Sequence, residues 1–441
     1  MAVTAEYAAK GLPPVPLPTG SAHESASQFL LELARALHVH GTPANRLETS
    51  LESVAARLGL EAQFFSTPTS LLVGIGPTVQ QRVHLLRVEP GPPNLGHLSQ
   101  LSSITRDVVD GTADPAEGSR RIARLLSAPQ RWSTPVRLLA FVLSSSAIAC
   151  FLKVNRIDVG VAALLGLVTG LIMLGIARRD SLLHVTEILT AFIVSTIAFT
   201  IDSLTVTQSG YATSLAGLAV LLPGLMLTIA LTELSAQHLS SGTARLMGAL
   251  VVFLALGFGI ALGARFGGVV GHLLSVTFPV LHADSSVATF VVPGSSNLPF
   301  WAEWLALLVA PLAFTVLLNA ERRDAGIIVL ASAMSYITAR VAGSAVGEEL
   351  GAFLGALVVS AGSNVSARFL KRSAMVTLTP GLLVLVPGSI GFRSVTSMLG
   401  QDVELGVATA FRVALIGISL AAGVLAGNVV TESYERRRYW R

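Results

Sequence analysis

From residue 134 onward the chain is a succession of long apolar runs separated by short arginine-bearing stretches, and no other feature constrains its fold as tightly. Ten runs can be read, at about 134–152, 157–176, 184–201, 211–232, 244–264, 301–318, 325–340, 348–367, 374–393 and 403–427. At about 16–25 residues, the seventh being the shortest, they suffice to cross roughly 30 Å of hydrocarbon as helices. Charged residues make up only 13% of the 441 positions and hydrophobic ones 52%, whereas a soluble domain carries roughly 25% charge. An ordinary cytosolic enzyme, a disordered chain and a fibrous protein are thereby excluded, and most of the chain is assigned to a lipid bilayer. The net charge of +4 comes from basic clusters between apolar runs, which suits loops against anionic headgroups and not a nucleic-acid footprint. Cys150 is the one cysteine, so no intrachain disulfide can form and nothing points to an oxidising compartment.

The basic residues also test the number of crossings, because cytoplasmic loops are enriched in arginine and lysine. With the N-terminal region inside, ten spans leave Arg178, Arg179, Arg245, Arg322, Arg323, Arg368, Lys371, Arg372, Arg436, Arg437, Arg438 and Arg441 on the inner side. Only Lys153, Arg156, Arg265, Arg340 and Arg393 fall outside. Nine or eleven spans would put the C-terminal arginines outside. The expected fold is an all-α polytopic membrane protein of ten transmembrane helices, preceded by a small α/β domain, with both termini cytoplasmic. Lysine at positions 10, 153 and 371 alone, against plentiful arginine, hints at a GC-rich bacterial coding sequence and so at a bacterial inner membrane.

Residues 1–23 are Pro-rich, lack an apolar core of signal-peptide length and read as a disordered tail. Residues 24–130 have soluble character and read as a cytoplasmic α/β domain. Leu30, Leu33, Ala34 and Leu37 share one helix face, and Gly41 stops that helix. Thr42 is placed to cap a second helix with Pro43 at its first position, carrying Ala44, Leu47, Leu51, Val54, Ala55 and Leu58. EAQFFSTPTSLLVGIG and VHLLRVEP read as two strands joined by a turn around Pro77, with Pro68 marking an edge strand or a break. Two more helices are expected at about 95–110 and 114–127.

An internal repeat organises the rest. Pro223-Gly224 interrupts the fourth run and Pro387-Gly388 the ninth, so each pair sits in the fourth of five spans. Each is followed by a span with a similar arginine-bearing string, GTARLMGALV around Arg245 and ATAFRVALIG around Arg412. The chain thus divides into two five-helix halves, 134–264 and 301–430, with an outside linker at 265–300 and a basic cytoplasmic tail at 431–441. Five is odd, so the halves cross in opposite senses, the inverted repeat of secondary transporters. Proline removes a backbone hydrogen bond and glycine loosens the turn. The pairs read either as structural kinks or as functional breaks lining a water-filled site, since an orphaned carbonyl is costly in lipid.

Three stretches also carry a family resemblance: HGTPANRLETSLESVAARLGL with Gly41, Arg46 and Glu48, then STPTSLLVGIG; LAVLLPGLMLTIALTELSAQHLSSGTARL with Pro223, Gly224, Ser241, Gly242 and Arg245; and LLVLVPGSIGFRS. From about residue 24 to 430 the chain resembles the threonine/serine exporter family, in which two membrane modules follow a cytoplasmic N-terminal domain. Where the family often has an aspartate after a basic residue, this chain has Thr232 and Glu233. The resemblance implies export of a small carboxylate-bearing metabolite: threonine or serine first, and a dicarboxylate as in some two-polypeptide relatives second.

Ionisable residues in the spans are the candidate machinery. Arg412, about ten residues into the last run, reads either as a snorkelling anchor or as a guanidinium gripping a substrate carboxylate. Arg245 at the inner end of its run reads as its counterpart or as a cytoplasmic anchor. Glu187, with His184 on the same helix face, reads as headgroup-level residues or as a proton relay. Glu233 is placed to pair with Arg245 across a short loop. Glu303 lies between Trp301 and Trp304, an interfacial aromatic belt, and Asn319, Asn364 and Asn428 read as interhelical glue. His38, His40 and His84 lack cysteine or acidic partners at ligand spacing, so no metal or other cofactor is expected. No phosphate loop, GxSxG or CxxC occurs, so an ion gradient, and protons first, is the expected energy source. The site expected from Pro223, Gly224, Pro387, Gly388, Arg245 and Arg412 lies near mid-membrane between the halves. Half-helix N-termini there would offer backbone N–H groups to the carboxylate. Competing classes are a membrane-tethered enzyme with its catalytic site in residues 24–130, and a passive channel. A homo-oligomer is compatible with all of these.

Overall fold

The computed structural model describes residues 21–77, 79–89, 91–176, 185–205, 209–277, 298–385 and 403–439. Helix α1 (Ser21–Val39) buries the stripe Phe29, Leu30, Leu33 and Ala34, and the left-handed Gly41 (φ +87°) turns the chain into α2 (Ala44–Arg57). α2 presents Leu47, Leu51, Val54 and Ala55 to the same core. The stretch expected to hold two strands holds three: β1 (Ala62–Thr67), β2 (Ser70–Ile75) and β3 (Arg82–Arg87), antiparallel in the order β1-β2-β3. The first run folds back on itself because Pro68 has no N–H to extend a ladder, so Thr67 pairs directly with Ser70 across a tight turn. The expected turn at Pro77 joins β2 to β3. α3 (Leu95–Val109) and α4 (Pro115–Leu126) complete the domain.

Each of the ten apolar runs contains a helix. In order they are α5 (Thr134–Phe151), α6 (Arg156–Ile176), α7 (Thr186–Thr205), the bent pair α8 (Gly210–Gly217) and α9 (Gly224–Ser235), and α10 (Leu239–Thr277). Then come α11 (Trp301–Leu317), α12 (Ala325–Val346), α13 (Glu348–Leu370), α14 (Met375–Leu385) and α15 (Val403–Tyr439). Among the described residues seven helices are long and apolar enough to cross a membrane, or eight with the bent pair taken as one span. Two helices overrun their expected ends. α10 continues through 265–277 of the expected linker, and α15 continues through 431–439 of the expected tail, where the sequence keeps helix-forming Glu and Arg. Pro387, Gly388 and His184 lie outside the described residues.

The helices meet through small residues, as packing in lipid favours. Gly259, Gly263 and Gly267 of α10 lie so close to α7 that an added Cβ would fall 2.5–2.6 Å from the carbonyl oxygens of Ile188, Phe192 and Thr196. Gly423 and Gly427 of α15 press on α13 in the same way, against Phe353 and Leu357. The fifth helix of each half therefore packs on the third. The two halves meet where α5 faces α11, through Ala147, Ala306, Ala310 and Phe314, and where α9 packs on α14 and α15.

The N-terminal domain is built into this bundle. Leu95 and Leu98 of α3 share one core with Ala320, Ile328, Met375, Leu378 and Leu420. The first amides of α3 donate to the last carbonyls of α11, Leu95 to Leu318 at 2.9 Å and Gly96 to Asn319 at 3.2 Å. One helix thus supplies the donors its start leaves free to the acceptors another leaves at its end.

Candidate functional site

The break in the fourth span is a bend of 59° between α8 and α9, with Pro223 at the N-cap of α9 and Gly224 as its first residue. From there α9 runs toward the N-terminal domain, beside α14. Between these two helices lies a small pocket of about 30 Å³, walled by Thr228 and Thr232 of α9, Leu378 and Thr379 of α14, and Val424 of α15. Beyond it, between the N-terminal domain and the ends of the membrane helices, opens a cavity of about 1020 Å³. Asn45 and Arg46, at the start of α2, line both spaces. A domain that sequence places before the bundle thus inserts its helix start between the two.

Arg46 hydrogen-bonds through Nη2 to Asn428 Oδ1 at 3.1 Å. That oxygen also accepts from Asn364 Nδ2 at 2.9 Å and Ser360 Oγ at 3.2 Å, so donors from two elements, α2 and α13, converge on it. Among the described residues the guanidinium has no carboxylate partner. Burial pushes its pKa down to about 10. Thr228 and Thr232 spend their hydroxyls on the carbonyls of Gly224 and Thr228. Among the described residues the Thr379 hydroxyl is buried with no partner, as is that of Thr42 at the edge of the larger cavity.

Glu233 has no exposed surface. One of its oxygens accepts the Ala44 N–H at 2.8 Å and Arg245 Nε at 3.1 Å, and the other accepts Ser241 Oγ at 2.8 Å. This corrects the capping expectation. Thr42 does not cap α2; Pro43 occupies the N-cap position without a side-chain bond, and the capping acceptor is a carboxylate 189 residues away. Beside it His38 is buried, with Nδ1 against Ser66 Oγ (3.3 Å) and Nε2 against the Pro68 carbonyl (3.1 Å), and burial lowers its pKa. Glu48 accepts the Ser66 N–H at 2.7 Å, and burial raises its pKa.

The arginines expected to bind substrate are engaged elsewhere. Arg245 pairs with Glu233 at the end of the bundle that carries the N-terminal domain. Arg412 lies at the opposite end, half exposed, and pairs with Glu348 at 3.0 Å. It faces the first turn of α13 because its helix begins at Val403, close to that end. Glu187 is partly exposed in the first turn of α7 and lines neither space. Glu303 bonds Tyr336 and Arg340, flanked by the half-exposed Trp301 and Trp304. Asn364 and Asn428 bind α13 to α15 as expected, and Asn428 also holds Arg46. Among the described residues no group of His, Cys, Asp and Glu could hold a metal ion. Sequence reasoning singled out Arg46 only as part of a motif. Its signal was present in that motif: an arginine on the first turn of an amphipathic helix, beside residues of the buried stripe.

A family model described as "Putative threonine/serine exporter" matches residues 28–267, and a second, "Threonine/Serine exporter, ThrE", matches residues 303–430. The chain belongs to the threonine/serine exporter family. The two models divide between them the first half with its N-terminal domain and the second half. Curated relatives include fungal proteins named pheromone-regulated membrane protein 10. That of Eremothecium gossypii is 24% identical over 93% of this chain and 57% of its own length. That of Candida albicans is 27% identical over 83% of this chain and 33% of its own. That of Saccharomyces cerevisiae is 24% identical over 83% of this chain and 47% of its own. The chain thus spans about a third to just over half the length of these relatives. No solved structure matches it.

Proposed function

We propose that the protein is a secondary active exporter of threonine and serine, driven by the proton gradient, that works by alternating access between two inverted five-helix halves. The observation that carries this reading is the broken fourth span, whose α9 walls one small pocket together with the short α14, with a large cavity behind it. A pocket of about 30 Å³ holds about one water, so in this conformation it is too small for an amino acid. The inverted repeat is supported by the fifth-on-third glycine packing in both halves and by the matching rank of the Pro-Gly pairs. Arg245, Arg322, Arg323 and Arg372 fall at the end that carries the N-terminal domain, which supports placing that end in the cytoplasm. Arginine-rich, lysine-poor composition favours a bacterial inner membrane, although the curated relatives named above are fungal.

Of the candidate proton-coupling residues, this reading rests on Glu233, whose carboxylate joins the bundle to the start of α2. Protonating it would disrupt the Arg245 pair and the cap of α2 together, linking a proton to the domain that stands between pocket and cavity. A non-enzymatic role for residues 24–130 is supported by the same contacts, because the first turns of α2 and α3 are spent on the bundle. A dicarboxylate substrate is the second reading, favoured by Arg57 and Arg106, which line the outer cavity and could meet another carboxylate.

The test is labelled-threonine flux in proteoliposomes holding the full chain. Flux that follows an imposed pH gradient and stops when the gradient is collapsed is expected. Absence of threonine and serine flux overturns the reading, and succinate counterflow in its place selects the second one. Flux indifferent to the gradient would make the protein a channel.

A further inference from the structure

We propose that Arg46, an N-terminal-domain residue, is the group that recognises the carboxylate of the transported molecule, with Thr379 on the facing wall hydrogen-bonding its hydroxyl. This rests on the exporter reading and names the residues that would perform its recognition step.

Four observations converge. First, Arg46 lines the small pocket as well as the large cavity. The other arginines of the cavity stand outside the pocket: Arg57 and Arg106 belong to the outer cavity, and Arg372 pairs with the buried Asp324. Second, Arg46 is partly buried where the two spaces meet, and no carboxylate among the described residues pairs with it. A guanidinium fork suits the two oxygens of one carboxylate. Third, Asn428 Oδ1 aims the fork by taking one of its N–H groups at 3.1 Å, and among the described residues the other guanidinium N–H groups have no acceptor, which leaves them for a ligand. Fourth, among the described residues the pocket holds one buried hydroxyl without a partner, on Thr379. A buried polar atom left unmatched in the empty site is a natural position for a ligand's polar group.

Together these describe one carboxylate site and one hydroxyl site, the chemistry of a small hydroxy amino acid. In the pocket itself a dicarboxylate would meet one cation and leave its second charge unmatched. The pocket must widen to admit such a molecule. Because Arg46 sits on α2, the widening would move the anchor with the N-terminal domain, so that recognition and opening share a residue.

The experiment measures KM and maximal flux of the full chain in proteoliposomes for L-threonine, with L-threoninol and succinate as competitors. L-threoninol, which lacks the carboxylate, is expected not to compete in the wild-type protein. Arg46→Gln is expected to raise the threonine KM at least 30-fold, and Arg46→Lys to recover part of the loss as a point charge without the fork. Asn428→Asp supplies an internal carboxylate to Arg46 and is expected to raise KM while keeping the domain seated, so it serves if Arg46→Gln does not reach the membrane. Thr379→Val is expected to weaken threonine relative to alanine. An unchanged KM in both Arg46→Gln and Asn428→Asp, or equal competition by L-threoninol, overturns the assignment while threonine flux leaves the exporter reading standing. Succinate handled in an Arg46-dependent way, without threonine flux, would keep the carboxylate role and overturn the threonine reading. A loss of maximal flux at constant KM in both variants would reduce Arg46 to a seat for the domain and also overturn the proposal.

Discussion

A carboxylate without solvent needs donors for both oxygens, and Glu233 obtains them from a backbone amide, a hydroxyl and a guanidinium. Removing one partner of a buried pair is worse than never having it, because the other charge stays behind. Glu233→Ala should therefore destabilise the folded chain by about 3–5 kcal/mol, and Glu233→Gln by less because the amide oxygen can still cap α2. Thermal unfolding in detergent, together with protease release of residues 21–126, checks both. His40 offers a pH signature. It meets His97 at 3.0 Å, and burial, then the neighbouring imidazole, brings its pKa down to about 4. Between that value and the ordinary 6.5 the unfolded side chain binds a proton that the folded one does not, so this residue's contribution to stability falls as pH drops through the window. Melting temperatures followed from neutral pH down into that window should fall more steeply in the wild-type protein than in His40→Gln. Equal slopes would show that His40 carries none of the effect. At this scale the Glu233–Arg245 pair was legible because both residues sit on one short stretch. The partner of Arg46 was not, because Asn428 lies 382 residues away and the local motif marks the arginine but not that meeting.

At the scale of elements, the apolar runs and the Pro223-Gly224 break were readable because each is a local property of period or backbone chemistry. Helix ends were less so. α10 reaches Thr277 because its glycine face continues onto α7 beyond the apolar maximum, and hydropathy does not report packing partners. The β1–β2 turn was missed because Ser66 to Ser70 looks continuous in composition, although Pro68 already signalled the break. The glycine contacts make a sharp pair of variants. Gly263→Val puts a branched side chain where a Cβ would already meet the Phe192 carbonyl oxygen at 2.6 Å, and should cost several-fold in folded yield. Gly268→Val, five positions on and with nothing within 4 Å of its added Cβ, should leave yield within a factor of two. Size-exclusion chromatography of the two variants decides it. Equal yields would mean that close approach of α7 and α10 is not required.

For the whole molecule, the fold divides differently from the sequence. Composition splits the chain sharply near residue 130, yet the packing does not respect that line. Leu95 and Leu98 belong to the same core as Ala320 and Ile328. Gln100 and Arg131 bind Glu321, while Arg322 lies over the Trp132 ring at 5.1 Å. The seat of the N-terminal domain joins both halves, with Glu233 and Arg245 from the first, and Leu318, Asn319 and Asn428 from the second. No window of sequence carries that information, since each contact pairs residues from distant segments whose local chemistry is ordinary for a loop or a helix end.

One consequence concerns the order of synthesis. The start of α2 leaves the ribosome long before Glu233, the acceptor that caps it, and still longer before Asn428, which holds Arg46. A nascent chain must therefore carry its first hundred residues unseated through most of translation, with the charge of Arg46 kept in water. Only when α15 is in place can Asn428 hold Arg46, so the end of the bundle that carries the N-terminal domain is closed by a segment made early and locked by one made late.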